Sequence, residues 1–166
     1  GHPQGLGIPA NTFTGFLMIS AVVFGAFISF SGIYADKIGR RRFLIWVTFA
    51  MLVFGLLMPQ FLTHGSPASV LAFLLIGTAL MGLTFGPMAA LLPELFPTEV
   101  RYSGASLAYN FAAIIGASIA TLVAIELNAY YGIIGVGLYL AANCVLTLLA
   151  LNSTHETKDV DLVDTQ

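Results

Sequence analysis

Charge is what this sequence has least of. Only 8% of its 166 residues are Asp, Glu, Lys or Arg, against about 25% in an ordinary soluble domain. No charged residue occurs in 43–93, in 102–125 or in 127–155. A water-soluble fold of this length needs far more charge to cover its surface, so a soluble globular domain is excluded. Cysteine is nearly absent too. Cys144 is the single one and sits in an apolar run, which excludes an intrachain disulfide and a thiolate metal cluster and leaves it a small packing residue. With a net charge of −2, the chain lacks the basic surface that a nucleic-acid partner requires. Residues 1–12 hold no Lys or Arg and so no signal-peptide start. There is no His-Glu-x-x-His pair, no Gly-x-Ser-x-Gly element and no carboxylate dyad inside an apolar run. The expectation is a non-enzyme with no cofactor and no metal.

What the chain does have is long apolar stretches. Hydrophobic residues make up 58%, and crossing a hydrocarbon layer of about 30 Å takes about 20 mostly apolar residues in a helix. Five spans fit the runs: 13–35, 43–62, 68–92, 103–125 and 131–151. Residues 1–12 are read as an extracytoplasmic loop, 13–152 as the transmembrane bundle and 153–166 as a polar cytoplasmic tail. A turn is expected at 126–130. Membrane barrel strands would alternate apolar and polar residues over short segments, which these runs do not do. The fold class is therefore all-α, a multi-pass helical membrane protein whose first partner is the lipid bilayer. Lys37, Arg40, Arg41, Arg42, Arg101 and Lys158 all fall on one side of this topology, the cytoplasmic side by the positive-inside rule, so the chain starts outside and ends inside.

Small residues mark faces where helices can approach one another. Gly82 and Gly86 in the third span, and Gly25, Ser29 and Gly32 in the first, strip bulk from one helical face. In the fourth span Ser103, Ser106, Asn110, Ala113, Ala117 and Thr121 recur every three or four residues, a small and polar stripe that belongs away from lipid. The second span carries little polarity beyond Thr48 and Gln60 and is expected to face lipid. Pro93 and Pro97 are explained by helix termination. Pro87, inside the third span, is expected to kink or loosen it.

The loop after the first span reads Gly32-Ile33-Tyr34-Ala35-Asp36-Lys37-Ile38-Gly39-Arg40-Arg41-Arg42. It resembles the signature Gly-x-x-x-Asp-(Arg/Lys)-x-Gly-Arg-(Arg/Lys)-(Arg/Lys) of the major facilitator superfamily, which occurs between helices 2 and 3 and again between helices 8 and 9 of a twelve-helix fold. Four spans follow it, so the match is to the second copy and the chain aligns with helices 8 to 12. Residues 93–104, from Pro93-Glu94-Leu95-Phe96-Pro97 to Gly104, resemble the helix 10–11 junction of the metabolite:proton symporter group, which includes carriers of shikimate, 2-oxoglutarate, citrate, and proline or betaine. His155-Glu156-Thr157-Lys158 is similar to the Pro-Glu-Thr-Lys-Gly element of related sugar porters, with His in place of Pro and Asp159 in place of Gly.

The resemblance implies the C-terminal part of a major facilitator bundle in a bacterial inner membrane. It would move a small polar metabolite by alternating access, with protons as the coupling ion and an N-terminal half as partner. It implies a conformational latch of Gly32, Asp36, Gly39, Arg40, Arg41, Arg42, Glu94, Glu99, Arg101 and Glu156, whose ion pairs break and reform as the halves rock. Gly39 supplies the tight turn within it. It also implies that helices 8, 10 and 11 line the cavity, which makes Asn110 the first candidate for a substrate contact, followed by Ser106, Tyr109, Thr84 and Ser20. Hydrogen bonding between helices is an equal use for such a buried Asn. Glu126 and His64 read as interfacial and solvated groups rather than coupling sites. Two other functions fit the same residues: a truncated half-bundle that only assembles with or binds a partner, and a sugar porter.

Overall fold

The structure, a computed structural model, describes residues 8–63 and 66–153. The tail residue Glu156 and loop residue His64 lie outside them. The described residues form four helices and no strand: α1 Ala10–Ile38, α2 Arg40–Thr63, α3 Pro67–Glu94 and α4 Arg101–Ser153. All four are long and apolar enough to cross a membrane.

Local chemistry sets the helix ends. Ser66 caps α3 by accepting a hydrogen bond from the Ser69 amide at 3.1 Å, and Pro67 follows at the first helical position, where a missing N–H costs nothing. Between α1 and α2 a single residue, Gly39, makes the connection with φ 107° and ψ 128°. Its N–H closes α1 on the Ala35 carbonyl, and its own carbonyl accepts from the Phe43 amide to open α2, both at 2.9 Å. A side chain rarely adopts this backbone conformation. Gly39→Ala is expected to cost about 1–3 kcal/mol, read as a lower unfolding temperature of the full-length protein in detergent.

The last helix departs from the sequence expectation. The turn between its two helical arms is not at 126–130: α4 runs helically through that segment and breaks at Gly132, with φ 65° and ψ −161°. The two arms, 101–131 and 133–153, fold toward each other there: a Cβ on Gly135 would lie 3.1 Å from the Leu127 carbonyl. Each arm alone meets the length a crossing needs. The expected fourth and fifth spans are thus the two helical arms, and only the turn between them has moved, to Gly132. The polar residues at 126–130 satisfy their backbone groups by staying helical, so polarity there does not mark the turn.

Two close seams hold the bundle. In the first, α1 lies against α3 at Gly82 and Gly86. A Cβ on Gly82 would meet the Phe24 carbonyl at 2.7 Å, and one on Gly86 would meet the Ile28 carbonyl at 2.8 Å and the Gly32 amide nitrogen at 3.1 Å. Ser31, fully buried, donates to the Ile28 carbonyl at 2.8 Å and reaches the Gly82 carbonyl at 3.3 Å. The Phe24 ring meets Phe85 edge-on at 5.6 Å. The glycines expected on α3 are therefore at the seam, but the α1 face is a different one. Ser20, Ser31 and Ala35 are the buried residues of α1, whereas Cβ atoms on Gly25 or Gly32 would meet nothing within 4 Å and Ser29 is exposed. Phe24, Phe27 and Ile28 give α3 a shaped surface to fit, which the small Gly25 face cannot.

The second seam joins α2 to the far arm of α4. A Cβ on Gly137 would stand 2.5 Å from the Gly55 carbonyl, and one on Gly55 would touch Leu140 at 3.2 Å. α2 turns Leu44, Val47, Thr48, Phe54 and Gly55 inward and leaves Trp46, Phe49, Val53 and Leu56 exposed. Phe54 also stacks on Phe73 of α3 at 5.1 Å, which links the two seams. α3 stays helical through Pro87 and on through Pro93 to Glu94, so neither proline breaks it.

Candidate functional site: a charged tie and a polar-edged cavity

At the basic end of the bundle, Arg40 joins three helices. Its Nε donates to Asp36 Oδ1 of α1 at 3.1 Å, with Nη2 also 3.1 Å from that oxygen. Its Nη1 pairs with Glu94 Oε1 of α3. The Arg40 and Glu94 side chains are each 24% exposed, against 62% for Asp36. The Arg40–Glu94 pair is thus the more sheltered and the Asp36 pair the more screened. Gly39 brings this about, because a one-residue turn places Arg40 within one helical turn of Asp36.

Arg41 does something that sequence reasoning missed. Its Nε donates to the Leu151 carbonyl at 2.6 Å, and its Nη2 reaches the Asn152 carbonyl and Oδ1, both at 3.2 Å. A cation at this end of a helix meets the negative end of the helix dipole. Arg41 therefore ties α2 to the end of α4 through the backbone, and a backbone partner leaves no motif in the sequence. The other expected members of the latch are less engaged. Arg42 and Glu99 are exposed and make no ion pair among the described residues. Arg101 has an enclosed Nε without a hydrogen-bond partner. Gly32 lines the first seam through its amide.

Above this end a cavity of about 350 Å³ opens between α3 and the first arm of α4. The fourth-span stripe contributes Ser106, Tyr109 and Asn110, with Ala105 beside them. α3 contributes Phe85, Met88, Ala89, Leu92 and Pro93. Asn110 donates through Nδ2 to the Ser106 carbonyl at 2.8 Å, with Ser106 Oγ at 3.4 Å. Three of the expected cavity residues thus come together, while the other two lie elsewhere. Thr84 donates back to the Met81 carbonyl at 2.7 Å, and Ser20 is 2% exposed inside the bundle with no partner for its hydroxyl. A larger opening of about 580 Å³ lies in the elbow of α4, between Leu127 and Tyr139, and holds none of the expected residues. Among the described residues no cluster of His, Cys, Asp or Glu could hold a metal ion.

Helices of membrane length, tied by charge at one end and parted by a polar-edged cleft, make up a multi-pass helical membrane bundle. The profile described as Sugar (and other) transporter matches residues 5–166, and the chain belongs to this family of the major facilitator type. The family is one of transporters rather than enzymes. It is 68% identical over 99% of its length to a Haemophilus influenzae protein named for metabolite transport. It is 51% identical over 96% of its length to the inner membrane metabolite transport protein YhjE of Escherichia coli. A proline/betaine transporter of Salmonella typhimurium is 31% identical over 86% of the chain. The chain spans 37% of the length of the first two relatives and 29% of the third. No solved structure matches it.

Proposed function

We propose that the chain forms helices 8 to 12 of a secondary active transporter. On this reading it moves a small polar metabolite, an organic acid or a zwitterion, together with protons across a bacterial inner membrane. The remaining helices come from an N-terminal half, the basic end faces the cytoplasm, and the Asp36–Arg40–Glu94 tie is the latch that opens and closes with each cycle. Family membership and the printed names of the relatives support the transport part. The observation that carries the cavity assignment is the convergence of Ser106, Tyr109 and Asn110 on one cleft facing α3.

Uptake of radiolabelled metabolites by cells expressing the full-length protein tests this, with and without a protonophore. Uptake that collapses with the proton gradient is expected. Uptake indifferent to that gradient contradicts the coupling. In the same assay Asp36→Asn is expected to lower the initial rate at least tenfold while membrane insertion stays normal, and an unchanged rate would remove Asp36 from the latch.

One observation favours a second reading. The 101–131 arm exposes Leu107, Phe111, Ile114, Leu122 and Ile125, each above 60%, so this bundle alone leaves it uncovered. A half-bundle that only assembles with a partner predicts no uptake by this chain alone and restored uptake on co-expression with an N-terminal half. The family's printed description keeps a sugar as the alternative solute, and labelled hexoses belong in the uptake panel.

A further inference from the structure

Beside the α2–α4 seam runs a groove of about 310 Å³, lined by Ile45 of α2 and by Val145, Leu148, Leu149 and Asn152 of the far arm of α4. The α4 residues recur at helical spacing, so they form one stripe about 10 Å long next to Ile45. Val145 is 45% exposed and Leu149 61%, which leaves the groove open along its side. Its walls are hydrocarbon except at Asn152, where the groove reaches the basic end of the bundle.

Charge at that end is unevenly committed. Arg40 is held by Asp36 and Glu94, and Arg41 is held by the end of α4. Arg42 is exposed and makes no ion pair among the described residues. Ile45 and Trp46 follow it by three and four residues, so Arg42 stands one helical turn toward the basic end on the same side of α2. Trp46, the single tryptophan of the chain, is 74% exposed, and an indole so placed belongs at the level of lipid headgroups. Asn152 accepts from Arg41 through Oδ1 at 3.2 Å, which keeps its amide nitrogen available as a donor. From the basic end inward the order is a free cation, an amide donor, an indole and a hydrocarbon groove. A phospholipid presents the complementary order of phosphate, glycerol and acyl chain.

We propose that this groove is a site for an anionic phospholipid of the leaflet that the basic end faces. One acyl chain lies along Ile45, Val145, Leu148 and Leu149, and the phosphate pairs with Arg42 and accepts from the Asn152 amide. Charge complementarity selects the occupant: a basic group at the headgroup level draws anionic lipid from a mixed leaflet. A free phosphate would leave the apolar stripe bare, and a groove this small is far short of the area a stable protein partner buries. Because Arg41 already bridges α2 and α4 at this point, a lipid seated here braces the same two helices from their membrane side. The assignment needs only that the bundle sits in a bilayer and is independent of the solute carried.

Trp46 supplies the reporter. The full-length protein, with Trp46 as its only tryptophan, is placed in bilayers that mix phosphatidylglycerol and phosphatidylcholine, one of them brominated on its acyl chains. Quenching of Trp46 then reads which lipid occupies the groove. A preference of about fivefold for phosphatidylglycerol is expected, weakening as salt screens the charge. Arg42→Gln should bring the ratio to about one, and its exposed side chain makes a folding defect no part of that loss. Lys37→Gln removes a cation at the same end but outside the groove lining, and should leave the preference in place. Equal quenching by the two lipids around the native Arg42 overturns the assignment. So does a preference that Lys37→Gln removes as fully as Arg42→Gln, because it then reflects surface charge and not a site. A preference that appears only when the residues after Ser153 are removed also overturns it, and gives Arg42 to the carboxylates of the tail, Glu156, Asp159, Asp161 and Asp164.

Discussion

Replacing Gly86 with leucine is expected to abolish recovery of folded protein. A Cβ at this position would already sit 2.8 Å from the Ile28 carbonyl, which is backbone and cannot rotate away, and closer still to Ser31 Oγ. The Ser31 hydroxyl is fully buried and committed to the carbonyls of Ile28 and Gly82. Any side chain must therefore push α1 from α3 and break hydrogen bonds that no water can replace at that depth. Even Gly86→Ala should cost about 1–3 kcal/mol as overpacking, and the larger leucine should leave aggregated material on size-exclusion chromatography in detergent. Gly15→Ala is the matched control, because a Cβ there meets nothing within 4 Å. It should change stability by less than about 0.5 kcal/mol. Normal elution of Gly86→Leu would mean that the two helices do not cross at this point.

The second large effect belongs to the charged tie. Arg40→Gln removes the Arg40 charge from its pair with Glu94 at a site where both side chains are only 24% exposed. The expected loss is roughly 1–3 kcal/mol, between the values for exposed and for fully buried pairs. In a carrier whose two states differ by a few kcal/mol, a bias of that size shifts populations about 5- to 150-fold. Uptake should therefore fall by an order of magnitude while protein level holds. Exchanging the partners as Arg40→Glu with Glu94→Arg restores the Arg40–Glu94 attraction but turns residue 40 against Asp36. Recovery should be partial, and adding Asp36→Lys should complete it. A double exchange no better than the single variants would show that the pair acts through something other than its charge.

Much of this architecture is legible in the sequence because apolar runs of membrane length have no other use. The limits of α2 and α3 fall within a few residues of those the charge gaps predict. The one-residue turn at Gly39 follows from a glycine between two helical runs. The failures have a common cause. Gly25, Ser29 and Gly32 permit a close approach, but a seam also needs a partner shaped to use it, and Phe24, Ile28 and Ser31 provide that shape on a neighbouring face. Polar residues at 126–130 resemble a turn. An α-helix satisfies its own backbone wherever it runs, however, so the chain bends only where Gly132 allows a positive φ. Arg41 binds carbonyls at the end of α4 that every residue type possesses. In the cleft, Ser106 and Asn110 were legible from their helical spacing. Phe85 was not, since an aromatic in an apolar run looks like core.

The central claim is that the α4 stripe faces a water-filled, solute-binding cleft. It is tested most directly by placing a cysteine at Ser106 in a background where Cys144 and any other cysteine are replaced, and labelling it with a membrane-impermeant maleimide. Maleimide needs a thiolate in water, so a lipid-facing position stays unlabelled. The account predicts labelling of the full-length protein that slows severalfold when a transported solute is added. No labelling from either side of the membrane, or a rate that no transported solute alters, would contradict it.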